Sequence, residues 1–216
     1  MKRIVFLCVV VVLTASYAQA QISFGVRAGG GVTGLSSGGD GKVGLEFGGV
    51  VDGKLSDAFS VQPALLISTL GDKVSRGFLF ETVSAKVNLT YIQVPVNVQY
   101  KKLLTEIEGF NISLILQAGP YFGYGISGKI KTEATISGKT SNTKESVKFG
   151  NGEGYHYKSL DCGLGLGAGV DFAEFMQINL GFNHGLVNIS NAADAKNWSF
   201  MCSLIVFFGK ANQLQQ

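Results

Sequence analysis

The chain has 216 residues, of which 46% are hydrophobic and only 15% are charged, and its formal net charge is +3 at pH 7. Soluble proteins carry about 25% charged residues. A chain this poor in charge, with 30 glycines and a mean hydropathy of +0.26, is therefore atypical of a soluble domain. The weak net charge also lacks the basic field that nucleic-acid binding requires, so we expect no nucleic-acid partner.

The N-terminus has the three parts of a secretory signal peptide. Two cationic residues at positions 2 and 3 precede an apolar run over residues 4–13, and Ala18-Gln19-Ala20 forms a small-x-small cleavage pattern. This order predicts a signal peptide over residues 1–20, cleaved before Gln21. The apolar run is too short for a membrane-spanning helix, which needs about 20 residues.

After the signal peptide, eight stretches alternate apolar residues with polar residues or glycine. Successive side chains of a strand point to opposite faces, so each stretch predicts a strand with one apolar face. Each stretch is long enough to cross a bilayer, because a tilted strand needs about 9–11 residues to do so. The predicted strands cover residues 22–33, 43–52, 58–69, 88–100, 111–127, 160–171, 175–187 and 197–208.

The sixth stretch, Leu160 to Asp171, shows the pattern most clearly. Leucine, cysteine, alanine and valine share one face, while four glycines between two aspartates form the other. This asymmetry predicts an apolar face against lipid and small residues facing a narrow interior. Its segment Gly163-Leu-Gly165-Leu-Gly167-Ala168 formally fits a dinucleotide-binding fingerprint, which requires a turn and a helix after the first glycine. Because the alternation continues through the glycines, we expect a strand and no nucleotide.

The connections between these strands alternate between long and short. Membrane barrels have long outer loops and short periplasmic turns, and an even number of strands lets the sheet close. The sequence therefore predicts an all-β fold, an eight-stranded antiparallel transmembrane β-barrel over residues 21–209, located in the outer membrane, with a short tail over 210–216. The long connections are 34–42, 70–87, 128–157 and 188–196, and the short ones are 53–57, 101–110 and 172–174.

Four ionisable residues, Arg27, Glu46, Asp161 and Asp171, fall on the predicted inner face. Ionisable groups inside membrane proteins usually pair with one another, and Arg27 and Glu46 lie on neighbouring strands. An eight-stranded barrel has room mainly for side chains. We therefore expect a polar cluster that fills the lumen, with a narrow passive pore as the alternative.

Other functions find less support in the sequence. Of only two histidines, His184 lies near a predicted outer end with Ser190 six residues later, so a lipid-modifying enzyme can be stated as an alternative. A nucleophile, its base and an orienting third group are not apparent, so we expect no catalytic, cofactor or metal site. Cys162 and Cys202 are predicted to be unpaired. A soluble lipocalin-like barrel, with its apolar face inside, is the main structural alternative.

The 128–157 connection carries five lysines against three glutamates. Loops of this length are uncommon unless they are functional or disordered. Contact with outer-membrane lipid, lipopolysaccharide or a protein partner is one interpretation, and a solvated hairpin extension of a monomeric protein is the other.

Six segments, in their order along the chain, carry a family resemblance. They are Phe24-Gly25-Val26-Arg27-Ala28-Gly29, Tyr91-Ile92-Gln93-Val94-Pro95-Val96, Ala118-Gly119-Pro120-Tyr121-Phe122-Gly123-Tyr124, Gly163 to Asp171, Asn183-His184-Gly185-Leu186-Val187-Asn188-Ile189 and the closing strand. Together, over roughly residues 21–209, they resemble the PorT-like family of small outer-membrane β-barrel proteins of Gram-negative bacteria. The resemblance implies an eight-stranded barrel of the OmpA/OmpX kind with a structural or surface-interaction role; most members have no assigned activity. The namesake is associated with type IX protein secretion, but no residue here carries that role over.

Overall fold

The structure is a computed structural model that describes residues 22–78, 81–107, 110–136, 139–150, 152, 154–191 and 194–208. No helix in these ranges is long and apolar enough to cross a membrane. The predicted signal peptide and C-terminal tail lie outside the described residues. The strands are β1 Ile22–Leu35, β2 Lys42–Lys54, β3 Phe59–Phe78, β4 Glu81–Ile107, β5 Phe110–Ile136, β6 Lys139–Ser146, β7 Leu160–Phe172, β8 Met176–Gly185 and β9 Asn197–Phe208.

Eight of these strands form a closed ring. The order β4-β3-β2-β1-β9-β8-β7-β5 is completed by the pairing of β4 with β5, and every pair is antiparallel. Closure leaves no free edge within the ring. The predicted all-β, eight-stranded antiparallel barrel is confirmed, and β6 is an additional strand on β5.

The side chains of the ring strands point outward or inward as the alternation predicts. On β7, Leu164 and Leu166 are 55% and 65% exposed on the outside, while Asp161 and Asp171 are buried inside. On the other strands, apolar residues such as Phe24, Leu65 and Phe122 also face outward, while a smaller apolar set is buried inside. This orientation suits a lipid surrounding, because membrane barrels present an apolar band to the lipid. It excludes the lipocalin-like alternative, which requires the apolar face inside.

Two predicted long connections are wrong, because the chain continues through them as paired strand. β3 and β4 stay paired as far as Phe78 and Glu81, in place of a loop over 70–87. Within 128–157, β5 continues to Ile136 and β6 follows it. The outward positions become polar there, as at Lys86 and Lys131, so the apolar-outward pattern that marks the ring strands ends. These four paired segments, residues 71–78, 81–88, 129–136 and 139–146, form a sheet beyond the ring that we call the strand extension.

The ring has two different ends. At the turn end lie Ile22, Phe208 and the short connections 55–58 and 173–175. The opposite, loop end carries the strand extension and the segments 36–41, 147–159 and 186–196. An apolar cluster closes the interior at the loop end, and we call it the apolar cap: Leu35, Leu70, Leu89, Tyr91, Val147, Ile189, Ala195 and Met201.

Candidate functional site

The centre of the lumen contains the predicted ion pair. Arg27 on β1 and Glu46 on β2 are both 5% exposed, and the Arg27 Nε donates to the Glu46 Oε1 at 2.6 Å. The register explains this contact. Gly29 lies directly opposite Glu46, and Arg27 is the next inward-facing residue on β1, so it lies diagonally across from Glu46. Arg27 and Glu46 are therefore paired across the two neighbouring strands of the structure.

Little free space remains beside this pair. The enclosed cavity there measures about 20 Å³. One water needs about 10–15 Å³ of such space, so the cavity holds roughly a single water molecule. Its walls are mostly polar or glycine: Arg27, Glu46, Leu66, Gln93, Pro95, Asn97, Gln117, Tyr121, Gly165, Leu166, Gly181 and Asn183.

At the turn end, Asp171 belongs to a second network. The Lys101 Nζ lies 3.0 Å from the Asp52 Oδ2 and 3.5 Å from the Asp171 Oδ2. The Gln177 Nε2 also donates to the Asp171 Oδ2, at 2.8 Å, and the Gln62 Nε2 donates to the Gln177 Oε1 at 3.1 Å. The half-buried lysine thus neutralises two buried carboxylates that would otherwise repel each other.

Lys101 was not predicted to be a lumen residue, because the fourth strand was predicted to end at residue 100. β4 in fact runs to Ile107, and the inward series of Asn97 and Gln99 continues to Lys101. Counting the alternation one residue further would have found it. A glutamine chain lies beside it, in which Gln99 donates through Nε2 to the Gln117 Oε1 at 3.0 Å.

At the loop end, Asp161 forms a third group beneath the apolar cap. Its Oδ2 accepts hydrogen bonds from the Asn197 Nδ2 at 2.8 Å and the Tyr121 hydroxyl at 3.3 Å. The four predicted residues are therefore all buried, but they occupy three levels of the lumen instead of one cluster. The pairing register of the strands sets the height of each residue in the lumen, whereas the sequence pattern predicts only which face of its strand the residue occupies.

Above the cap, the loop-end segments contact one another. Tyr157 forms isolated β-bridges with Phe149 and Ser190, so the segments 147–159 and 186–196 lie side by side. Burial, and to a lesser degree the charge of Asp72, raises the pKa of the Tyr157 phenol. The Asp72 carboxylate accepts backbone N–H groups of Leu35 and Gly41, at 3.1 and 2.9 Å, which fixes the 36–41 connection.

The residues of the enzyme alternative lie away from the lumen. His184 is exposed on the outer face of β8, where its ring stacks on Phe182 with centroids 6.4 Å apart. Ser190 is half-buried in the 186–196 segment, and its backbone N–H donates to the Asn188 Oδ1 at 3.0 Å. In the part of the chain that the structure describes, no group of three or more His, Cys, Asp and Glu could hold a metal ion.

The glycines and cysteines of the candidate motifs are placed as predicted. Gly163, Gly165 and Gly167 lie inside β7, with no turn or helix after them, so the nucleotide interpretation is excluded. Cys162 on β7 and Cys202 on β9 are free, and β8 separates their strands.

Comparison with solved structures returns barrels that share little sequence with this chain. Neisserial surface protein A is 11% identical, over 86% of this chain and 96% of its own, with a TM-score of 0.46. The attachment invasion locus protein Ail of Yersinia pestis is 15% identical, over 86% and 98%, with a TM-score of 0.34. The N-terminal β-barrel domain of Pseudomonas aeruginosa OprF is 14% identical, over 88% and 100%, with a TM-score of 0.37.

Sequence comparison with curated proteins finds no match. The model of the outer membrane protein beta-barrel domain, in contrast, matches residues 17–191, which is most of the chain. The match spans β1 to β8, which include seven of the eight ring strands, and it ends before β9. The chain therefore belongs to the outer-membrane β-barrel domain family and is an outer-membrane β-barrel protein.

Proposed function

We propose that this protein is a non-conducting barrel that anchors the strand extension at the cell surface, with a structural or surface-interaction role and no enzymatic activity. The observation that carries the proposal is the filled lumen. Ion pairs and amides occupy its centre and turn end, and the apolar cap closes its loop end. A solute path would have to break buried charge pairs, at a cost of several kcal/mol each.

Planar-bilayer recording tests the closed lumen directly. The refolded full chain is expected to give no stepwise conductance above the baseline of protein-free bilayers. An Arg27→Ala/Glu46→Ala variant is the matched comparison, since it removes the ion pair that lines the small central cavity. Regular conductance steps from the wild type would contradict the proposal and favour the passive pore.

The orientation of the barrel is part of the proposal. Barrels of this class place long loops outside and short turns in the periplasm, which puts the strand extension outside the cell. In a Cys162→Ala/Cys202→Ala background, Ser141→Cys, exposed on β6 of the extension, is expected to react with a membrane-impermeant maleimide on intact cells. Ser56→Cys, exposed in a turn-end connection, is expected to react only after lysis. The reverse pattern would overturn the orientation.

Export requires a targeting segment, and the pattern over residues 1–20 supports one. The mature protein is expected to begin at Gln21, which the intact mass of protein purified from membranes checks. A mass that includes residues 1–20 would contradict cleavage.

The order of motifs along the chain supports a finer assignment to the PorT-like barrels. The absence of enzymatic activity is tested separately by lipid analysis. Expression of the wild type is expected to leave the lipid A and phospholipid profiles unchanged. A changed profile that reverts with His184→Ala would favour the lipid-modifying enzyme.

A further inference from the structure

The strand extension places four lysines in one line across four strands. Lys73 on β3 lies opposite Lys86 on β4, Lys86 lies opposite Lys131 on β5, and Lys131 lies opposite Lys144 on β6. Residues directly opposite in an antiparallel sheet project from the same face. We call this set the lysine row. With strands about 4.8 Å apart, it spans about 14 Å.

The lysine row lies on the outer face of the sheet. On β3, the exposed Ile67 and the exposed Lys73 are six residues apart and so share a face. The row thus continues the lipid-facing surface beyond its last apolar positions. All four lysines are exposed, and among the described residues no carboxylate forms an ion pair with any of them.

A shallow cavity of about 210 Å³ lies on this face. It is lined by Lys73, Ser84, Lys86, Lys131 and Glu133, which combines three cations, one hydroxyl and one carboxylate. Like charges directly opposite one another destabilise a sheet. The excess of positive charge in this cavity favours an anionic ligand.

We propose that the lysine row binds the phosphate groups of a glycolipid headgroup in the surrounding outer leaflet. Continuity with the lipid-facing surface points to a lipid, and the width of about 14 Å suits more than one phosphate. Six residues beyond Ile67 correspond to about 20 Å along the strand, or about 14–16 Å along the membrane normal at the usual strand tilt of about 35–45°. Phospholipid headgroups add only about 6 Å to each side of the hydrocarbon, so a larger, phosphorylated sugar headgroup fits the row better. This inference rests on the proposed orientation.

The test measures binding of rough lipopolysaccharide to the immobilised full chain in nonionic detergent. Each lysine near an anionic lipid surface contributes about 1 kcal/mol, a factor of about five. Lys86→Gln/Lys131→Gln is therefore expected to weaken binding about 30-fold. Lys102→Gln/Lys148→Gln removes the same charge from exposed positions outside the row and is expected to leave the affinity within about twofold. Heat-modifiability on a denaturing gel verifies that each variant is folded.

Three results would overturn the inference. Equal affinities of the wild type and the row variant would show that the row does not bind the headgroup. Dephosphorylated lipopolysaccharide or phosphatidylglycerol binding as tightly would exclude phosphorylated sugar as the ligand. Competition by inorganic phosphate at the concentration of the lipid would indicate a site for free phosphate. Position 141 lies on the opposite face of the extension from the lysine row, so its labelling does not depend on lipid bound there and detects failure of the orientation separately.

Discussion

The Arg27–Glu46 pair allows the filled lumen to be tested quantitatively. Both side chains are almost fully buried and meet at 2.6 Å, so each is the charge partner that the other requires. Glu46→Gln keeps the shape of the side chain but leaves the Arg27 charge without its counterion. Removing one member of a buried pair costs about 3–5 kcal/mol. We expect this loss in the free energy of unfolding.

The measurement is urea unfolding of the refolded protein in lipid vesicles, followed by the emission of Trp198, the single tryptophan. With a urea slope near 2–3 kcal/mol/M, the expected midpoint shift is about 1–2 M. Arg27→Met/Glu46→Gln removes both charges, and the remaining amide is surrounded by polar lumen residues. This double variant is therefore expected to be more stable than Glu46→Gln alone.

The exposed Glu106 provides the control. Glu106→Gln removes a carboxylate without leaving a buried charge, and it is expected to change the free energy of unfolding by less than about 0.5 kcal/mol. Two results would contradict a stabilising role of the central pair. One is a loss in Glu46→Gln as small as that of the control. The other is a loss in the double variant equal to the sum of the losses in Glu46→Gln and Arg27→Met.

Three further predictions concern the lumen and the loop end. Gly167→Ala is expected to lower the urea midpoint more than Gly181→Ala at the cross-strand partner. A Cβ at Gly167 would lie 2.7 Å from the Leu180 backbone oxygen, whereas the nearest atom to a Cβ at Gly181 is 3.9 Å away. Equal midpoints would contradict this close packing. Lys101→Met leaves the Asp52 and Asp171 carboxylates without their cation and is expected to cost about 3–5 kcal/mol, whereas Lys102→Met on the outer face is expected to be nearly neutral. The pKa of the Tyr157 phenol is higher in the folded protein than the unfolded value of about 10, so folding favours the neutral phenol. This contribution to the free energy of unfolding is present below the unfolded pKa and is lost as the pH rises through the folded pKa. The urea midpoint is thus expected to fall less between about pH 9 and 11 in Tyr157→Phe than in the wild type, and equal falls would refute this role.

Much of the barrel was predictable because the alternation has a simple physical cause. Outward residues contact lipid and must be apolar, while inward residues fill a narrow lumen. The face of Arg27, Glu46, Asp161 and Asp171 follows from that rule, and so does the pairing of the first two on neighbouring strands. The rule does not exclude apolar residues inside, and the interior positions of Leu66 and Phe207 were accordingly not predicted.

The sequence by itself determined the strand faces, the number of strands in the ring and the inward position of the four charged residues. Only the tertiary structure decided which buried groups meet, because contacts across the lumen join residues distant in sequence, as Lys101 joins Asp52 and Asp171. It also decided the strand extension, whose outward positions are polar and therefore lack the apolar-outward pattern that marks the ring strands. The alignment of Lys73, Lys86, Lys131 and Lys144 follows from the pairing register of four strands, which hydropathy does not encode.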